Sequence, residues 1–429
     1  MTRLRGVHPR LVTQPPDTRA SLAILPPLKG LGDEFAWAVW YSVRKAHAPA
    51  ERSVLPAQDV EWIRSLFHSA AESVPSLSAE LEVLCLFVCG EANSRSAADT
   101  LGNVAEWAGS KGLIEPAIQC AEAAAALAPE SSVRAVEAGR SNRFYGAQVS
   151  RADLYYERAI PLARQARNWR CYVRAHLGKG QVKKSLGDTL AARAHYYTAA
   201  RAARWLSGEK WLAGQTHHDL LDVAAEEGAF DEALYYADQA LECYPRHHSR
   251  IPALVHDFGF LLLRMQLFGH AVPLVTRVMR CVSHPQDQVI GWSTLAHAAA
   301  GLNDEATYRA AADNTLRLVA MYDLHGAAAF ANLAGGAHLL GQWDDAEQYA
   351  RRCLQIAEQR RQAEAVPVAK EILANLGGRH PWYLDTPLSE HVIAQVARLV
   401  PLMMERLAGW RGPTWRPRRP DRDEQSGSS

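Results

Sequence analysis

Seven segments of this chain share one pattern, in which a turn residue precedes a run of regularly spaced alanines. The clearest copy is GAFDEALYYADQALECYP at residues 228–245, and GQWDDAEQYARRCLQIAE at 341–358 resembles it closely. Self-similarity at a period of about 20 to 50 residues predicts a protein built of stacked repeats. Successive copies are 35 to 41 residues apart when measured between the alanines that follow each turn: Ala117, Ala152, Ala192, Ala233, Ala271, Ala306 and Ala346.

The residue types within one copy predict a pair of helices joined by a tight turn. A glycine ends the first helix, and the acidic pair Asp231 and Glu232 favours the positive N-terminus of the second. Ala233, Ala237 and Ala240 then recur at a three-to-four spacing, so they lie on one face of that helix. Small side chains on this face let the paired helices approach closely. Such a hairpin cannot cover its own apolar side and therefore needs neighbours.

These segments resemble the tetratricopeptide repeat (TPR) family, whose second helix carries spaced alanines and a closing proline. The resemblance covers roughly residues 96–360 and implies an all-α fold, a right-handed α-solenoid (superhelix) of about seven TPR-like helix hairpins with helical caps. Most of the gaps exceed the period of about 34 residues that is usual in the family, which predicts longer helices or loops. The matching positions are Ala233, Ala237, Ala240 and Pro245 for the second helix, and Val255, Phe258, Gly259 and Leu262 for the first.

The flanks of the array differ from it in composition. Trp37, Trp40 and Tyr41 crowd one short helical stretch, and we interpret them as the packing face of a cap rather than as a docking surface. The predicted organisation is an irregular segment at 1–30, a helical N-terminal cap at 31–95, the repeat array at 96–375, a C-terminal capping helix at 386–410, and a disordered Pro/Arg-rich tail at 411–429.

Composition excludes several classes of protein. The 429 residues include 47 basic and 46 acidic side chains, so the whole chain has no bias toward nucleic acid or an acidic membrane. The first twenty residues are too polar for a signal peptide, and no run of about 18 apolar residues predicts a membrane span. The seven cysteines form no CxxC pair and are typical of small buried side chains in a reducing compartment. We therefore expect a cytoplasmic protein.

The neutral total conceals a local separation of charge. Residues 134–210 carry sixteen Lys or Arg against five Asp or Glu, whereas residues 211–243 carry eight acids and no Lys or Arg. The TPR resemblance implies that ligand groups lie on the inward side of each first helix. It predicts a partner-binding groove with a basic end and an acidic end, or, as the alternative, charges on a solvated outer face. The expected groove residues are Arg174, Gln181, Lys184, His218, Asp219, Asp222, Glu226, Phe260 and Trp292.

Signatures of catalysis and of nucleotide binding are absent from the sequence. It contains no HExxH, P-loop or GxSxG motif, and no glycine-rich nucleotide turn. Asp219 and Asp222 lie close to His218 and resemble a weak metal site at best, so we expect no metal and no cofactor. Gly335 and Gly336 are interpreted as positions of close helix packing rather than of phosphate binding.

The function that fits these features is a non-enzymatic scaffold or adaptor that binds a protein or peptide in its groove, in the manner of the sensing module of a bacterial regulatory or defence system. An alternative is an accessory protein that binds nucleic acid through the basic residues 134–210 and the arginine-rich tail. An enzyme without a recognisable motif is the third class. The sequence does not identify the partner.

Overall fold

The structure is a computed structural model that describes residues 33–47, 57–144, 149–206, 208–360, 362–376, 387–408 and 410. Within these ranges the regular secondary structure is entirely helical, as the resemblance implied, with nineteen α-helices, two short 3-10 helices and no β-strand. None of the helices in the described ranges combines the length and the apolar character that crossing a membrane requires. The predicted irregular segment 1–30 and the tail 411–429 lie outside the described residues.

The chain divides into two compact units. Within the described residues, the first consists of 33–47, 57–144 and 161–166, and the second of 149–160, 167–206, 208–360, 362–376, 387–408 and 410, so helix α7 (Val149–Gln165) contributes to both. The described helices of the first unit are α1 (Asp33–Ala46), α2 (Ala57–Ser73), α3 (Ser78–Cys89), α4 (Ser94–Ser110), α5 (Ile114–Leu127) and α6 (Ser132–Phe144). Those of the second unit are α8 (Trp169–Ser185), α9 (Thr189–Ala203), α10 (Lys210–Glu226), α11 (Phe230–Cys243), α12 (Ile251–Arg264), α13 (Phe268–Met279), α14 (Pro285–Gly301), α15 (Glu305–Val319), α16 (Gly326–Leu339), α17 (Trp343–Arg360), α18 (Val366–Asn375) and α19 (Glu390–Leu407).

The aromatic side chains of α1 belong to the core of the first unit. Trp37, Trp40 and Tyr41 are buried, and their rings meet one another edge-on or tilted, with centroids 4.9 to 6.3 Å apart. Helix α1 packs against α2, α3 and α5, while α4 and α5 form a hairpin of their own. Buried aromatic rings add specific edge-to-face contacts to their large apolar area. They are packing residues, as the sequence interpretation favoured.

Consecutive helices of the second unit pack as hairpins. The pairs are α8 with α9, α10 with α11, α12 with α13, α14 with α15, and α16 with α17. The first helices of successive pairs also touch one another, from α8 through α10, α12 and α14 to α16. They therefore form one continuous layer, and each second helix packs against the first helix of its own hairpin.

The spaced alanines lie in the first turn of a helix that follows a turn. Six of the seven are the fourth residue of their helix and are buried; the exception is Ala306, which is only the second residue of α15 and is exposed. The fourth residue of α15 is Tyr308, and it is the buried one. The sequence register for this repeat was therefore wrong by two residues, because the N-cap is Asp304 and the helix starts after it. The six buried alanines are Ala117, Ala152, Ala192, Ala233, Ala271 and Ala346.

The last helix, α19, lies along the middle of the array. It packs against α11, α12 and α13, and Arg398 forms an ion pair of 2.7 Å with Asp238. Arg406 donates hydrogen bonds to the carbonyl oxygens of Leu241 and Tyr244. This position differs from that of a cap on the final hairpin, which the sequence predicted. The apolar stripe of α19 is buried against α11 to α13: Val392, Val396, Leu399, Met403 and Leu407.

Replacing Ala233 with leucine tests the close approach of α10 and α11. Ala233 is fully buried, so three additional carbon atoms must displace a packed neighbour, and we expect Ala233→Leu to lower the free energy of unfolding by roughly 1 to 3 kcal/mol. The matched control is Ala306→Leu at the exposed position of α15, which should change it by less than about 0.5 kcal/mol. Urea denaturation followed by circular dichroism measures both. Equal effects of the two variants would contradict the assigned register.

A left-handed residue precedes the second helix of several hairpins. Gly228 has φ of 72°, and glycines 112, 187 and 341 have φ between 70° and 80°. In two hairpins the same place is held by Gln266 and Asn303, both with φ of 58°. The turn geometry thus persists where the residue is not glycine, so the stacking of the helices dictates the backbone conformation.

Substitution of Gly228 isolates the cost of this conformation. A Cβ added at Gly228 meets no atom within 4 Å, so Gly228→Ala should destabilise the protein by about 1 kcal/mol through backbone strain alone. Gly269, in the first turn of α13, has equally open surroundings but no left-handed φ, and Gly269→Ala should stabilise by about 0.5 kcal/mol. The opposite signs are measurable as shifts in thermal midpoint. A destabilising Gly269→Ala would contradict the assignment of the Gly228 effect to its left-handed φ.

Candidate functional site

The layer of first helices in the second unit surrounds a cavity of about 420 Å³. Side chains from α8, α10, α12, α14 and α16 line it, together with residues from the segment 362–376. Ligand pockets typically have volumes of about 300 to 1,000 Å³. The cavity is therefore of a size that suits a small ligand or a few residues of a peptide.

The segment 362–376 runs across the first helices and forms one wall of the cavity. Its short 3-10 helix contacts α16 and the end of α8, and the Cβ that Gly187 lacks would lie 3.3 Å from the Cβ of Ala363. Gln362 donates a hydrogen bond of 2.8 Å to the carbonyl oxygen of Leu324. Helix α18 follows, packs on α16 and α17, and contributes Pro367 and Ile372 to the lining. This segment belongs to the range 96–375 that was predicted as the repeat array, and its local pattern gives no sign that it encloses a space.

Much of the cavity wall is apolar. Phe260 and Leu263 of α12 face it from one side, and Ala328 and Ala331 of α16 from another. Gly335 is needed for this shape, because a Cβ there would lie 2.6 Å from the imidazole Cε1 of His297. The interpretation of the Gly335 pair as a close-packing feature is confirmed by this contact.

One part of the wall holds a polar network centred on Asp257. Its Oδ2 lies 2.7 Å from Nε2 of His218, and its Oδ1 lies 2.8 Å from Nδ1 of His256. His256 in turn reaches Thr294 on α14, with 3.2 Å between Nε2 and Oγ1. The other ring nitrogen of His218, Nδ1, lies 3.4 Å from the hydroxyl of Tyr244. Asp257 thus receives hydrogen bonds from two imidazoles on adjacent helices.

A second group of contacts joins α8 to α10 beside this network. The ammonium of Lys184 lies 3.2 Å from Oδ2 of Asp222 and 3.2 Å from Oε1 of Glu226. Gln181 donates a hydrogen bond of 2.9 Å to Asp219. In each case the two partners are 38 to 42 residues apart, so they occupy equivalent or nearly equivalent places in successive repeats.

The environment shifts the proton affinity of these groups in opposite directions. Burial raises the pKa of Asp222 to about 7, and the charge of Asp257 adds to the effect against the opposing charge of Lys184. Burial also acts on Asp257, but the hydrogen bonds from His218 and His256 outweigh it and hold the pKa of Asp257 well below its usual range. Burial lowers the pKa of both histidines, yet their bonds to Asp257 and its charge more than compensate, so each histidine pKa is raised.

The structure brings most of the expected groove residues together. Lys184, Asp222, Glu226 and Phe260 line the cavity. The hydrogen-bonded network next to these residues contains Gln181, His218 and Asp219. The cavity lining does not include Arg174 or Trp292. Sequence reasoning missed His256, Asp257 and Arg264. His218 and Asp257 are 39 residues apart, which is about one repeat period. That spacing is the feature of the sequence that could have indicated the missed residues.

The two charged segments of the sequence compensate each other. Besides the Lys184 contacts, Arg193 pairs with Glu227 and Glu232 of the acidic segment, whereas Arg170 pairs with Glu209 within the basic segment. Lys184 was expected to mark the basic end of a groove, but its charge is met by the acids of the next helix. The broad basic surface that the nucleic-acid alternative needs is reduced by the same pairing. Among the described residues, at least six of its sixteen basic residues form ion pairs: Arg134, Arg170, Lys179, Lys183, Lys184 and Arg193.

Comparison with known proteins yields structural matches only. Neither a protein-family model nor a curated protein matches the chain. A crystal structure of a Rap protein complexed with competence and sporulation factor is similar, with 13% identity and a TM-score of 0.53 over 78% of this chain and 99% of that chain. A Cut9–Hcn1 hetero-tetramer of the APC/C matches with 16% identity and a TM-score of 0.42, covering 80% of this chain and 64% of that chain. The TPR2AB domain of yeast Sti1 in its complex with pHSP90 matches with 13% identity and a TM-score of 0.25, covering 66% and 99%.

The similarity to the Rap protein structure and the hairpin packing establish the fold. The chain is an all-α, TPR-like helical-repeat protein. At 13% identity the similarity to the Rap protein concerns the fold alone.

His297 in the cavity wall gives a prediction about pH. Burial lowers the pKa of His297 to about 4; a hydrogen bond with Asn332 opposes the shift, and the charge of Arg264 adds to it. An imidazole in the unfolded chain has a pKa of about 6.5, so between pH 6.5 and 4 the unfolded state binds a proton that the folded state does not. The stability that depends on neutral His297 is therefore complete above pH 6.5 and is lost as the pH falls toward 4.

We expect the wild-type protein to lose about 1 to 2 kcal/mol of stability through His297 between pH 7.5 and pH 5. His297→Gln should remove that part of the slope, and His247→Gln, at an exposed position, is the control. Denaturant midpoints at five pH values measure how stability depends on pH in the wild type and in each variant. If His297→Gln keeps the wild-type slope, the folded protein accepts the proton and the imidazole is not held neutral.

Proposed function

We propose that this chain is a non-enzymatic binding protein of the scaffold or sensor type, and that the cavity of its second unit encloses a short peptide segment. The observation that carries the proposal is the cavity itself. It lies on the layer of first helices, where the TPR resemblance implies that ligand groups lie, and the segment 362–376 closes it on a further side. None of the residues that line it form a recognisable catalytic set.

The size of the cavity restricts the class of ligand. A volume of about 420 Å³ cannot admit a folded domain, so a protein partner would have to present a chain end or an extended loop. The similar Rap protein structure was solved as a complex with competence and sporulation factor. That complex supports the idea that this fold can hold a ligand, and it is the reason to test peptides first.

The charges of the lining favour a ligand that carries a positive group. Five lining residues are acidic and two are basic: Asp222, Glu226, Glu227, Asp257 and Glu371 against Lys184 and Arg264. Charge complementarity mainly sets the encounter rate and the register of a ligand, while apolar contacts supply much of the affinity. A peptide with an apolar side chain against Phe260 and a basic group toward Asp222 fits both walls.

A variant that fills the cavity tests the proposal. The full chain is incubated with a pooled library of synthetic hexapeptides, and retained peptides are identified by affinity-selection mass spectrometry. Ala328→Trp places an indole inside the cavity and should reduce retention at least tenfold. Ala310→Trp adds the same indole at an exposed position of α15 and should retain the wild-type set.

The two variants are compared after circular dichroism has shown that both keep the helical content of the parent. A library from which nothing is retained, or retention that Ala328→Trp leaves unchanged, would contradict the proposal. Retained peptides without enrichment of Lys, Arg or apolar residues would contradict the preference for a positive group, while leaving the cavity as the site.

A further inference from the structure

Three side chains at the polar wall of the cavity bring metal-binding atoms together. One nitrogen of His218 and one carboxylate oxygen each from Asp222 and Asp257 all lie within 4.8 Å of one another. His218 and Asp222 are four residues apart on α10 and therefore share a face, and Asp257 comes from the adjacent helix α12. We propose that this cluster binds a divalent first-row transition metal ion such as Zn²⁺.

The chemistry of the ligand set selects the class of metal. One imidazole nitrogen and two carboxylate oxygens are typical ligands of Zn²⁺ and related ions, whereas Mg²⁺ and Ca²⁺ prefer oxygen ligands alone. The sequence pointed to Asp219 as a partner of His218 and Asp222. In the structure Asp219 binds Gln181, and Asp257 takes its place in the cluster.

Neighbouring side chains already orient the ligands. The hydroxyl of Tyr244 lies 3.4 Å from Nδ1 of His218, which leaves Nε2 directed at Asp257. His256 holds Oδ1 of Asp257 at 2.8 Å, and this leaves Oδ2 directed at His218. Such outer contacts fix the rotation of ligating imidazoles and carboxylates in metal sites.

The spacing of the cluster requires only small movements to admit an ion. Nε2 of His218 and Oδ2 of Asp257 are 2.7 Å apart. Zinc bonds of about 2.0 to 2.2 Å at a tetrahedral angle place two ligand atoms about 3.3 Å apart. The pair must therefore separate by roughly half an ångström. Asp222 and Asp257 line the cavity, so water from that side would complete the coordination.

Lys184 marks the edge of the same site with a positive charge. Its ammonium lies between Asp222 and Glu226, at 3.2 Å from each, and only 17% of its side chain is exposed. A divalent ion would compete with this ammonium for Asp222. Removal of the ammonium should therefore strengthen metal binding, which a cluster with a purely structural role would not show.

The experiment is a titration of the full chain after treatment with a chelator. Zn²⁺ is followed by calorimetry and Co²⁺ by its visible d–d absorption, which reports the coordination geometry. We expect one equivalent to bind. His218→Gln and Asp222→Asn should each weaken binding at least tenfold, Lys184→Met should strengthen it several-fold, and His247→Gln should leave it unchanged.

Circular dichroism and thermal unfolding check that each variant folds. If His218→Gln fails to fold, Asp222→Asn decides, because the Asp222 side chain is 29% exposed and tolerates the change more readily. Absence of a one-equivalent transition, or wild-type affinity in the ligand variants, overturns the site. The titration uses no peptide, so its outcome is independent of whether the cavity binds peptides.

Discussion

Stacking of helix hairpins at a nearly constant period is the constraint on which the rest of the second unit depends. One hairpin has two apolar faces and cannot bury both, so each needs the next copy against it. In the five hairpins of this unit the fourth residue of each second helix is buried, and in four of them it is alanine. Close contact between the helices follows from these small side chains, and a constant separation between successive first helices follows from the stacking.

The same constraint creates the polar wall of the cavity. When first helices stack in register, a residue meets the one that is about 38 positions later in the chain. Gln181 meets Asp219, His218 meets Asp257, His256 meets Thr294, and Thr294 meets Asn332, each pair 38 or 39 residues apart. Buried polar groups require partners, and this ladder supplies them between repeats rather than within one. It also gathers carboxylates and imidazoles where a ligand or a metal ion can reach them.

Ion pairs between adjacent repeats neutralise part of the charge that the sequence separates into a basic and an acidic segment. The sequence separates basic residues from acidic ones by about one period, which suggests a polarised surface. Because adjacent repeats stack, that separation places opposite charges side by side, as between Lys184 and Asp222 or between Arg193 and Glu227. Partly buried pairs of this kind fix the register of neighbouring helices more than they add stability. The acidic residues that remain at the cavity then outnumber the basic ones, which determines the type of ligand that we propose.

The sequence by itself determined the helical class, the hairpin unit and the approximate period, because alanine spacing and turn glycines are local signals. It also predicted Lys184, Asp222, Glu226 and Phe260 as groove residues, and all four line the cavity. Only the tertiary structure decided the place of α19, the wall formed by residues 362–376, and the roles of His256 and Asp257. These features depend on contacts between residues that are one or more repeats apart, or about 160 positions apart for Arg398 and Asp238, and no local pattern encodes which distant surfaces meet.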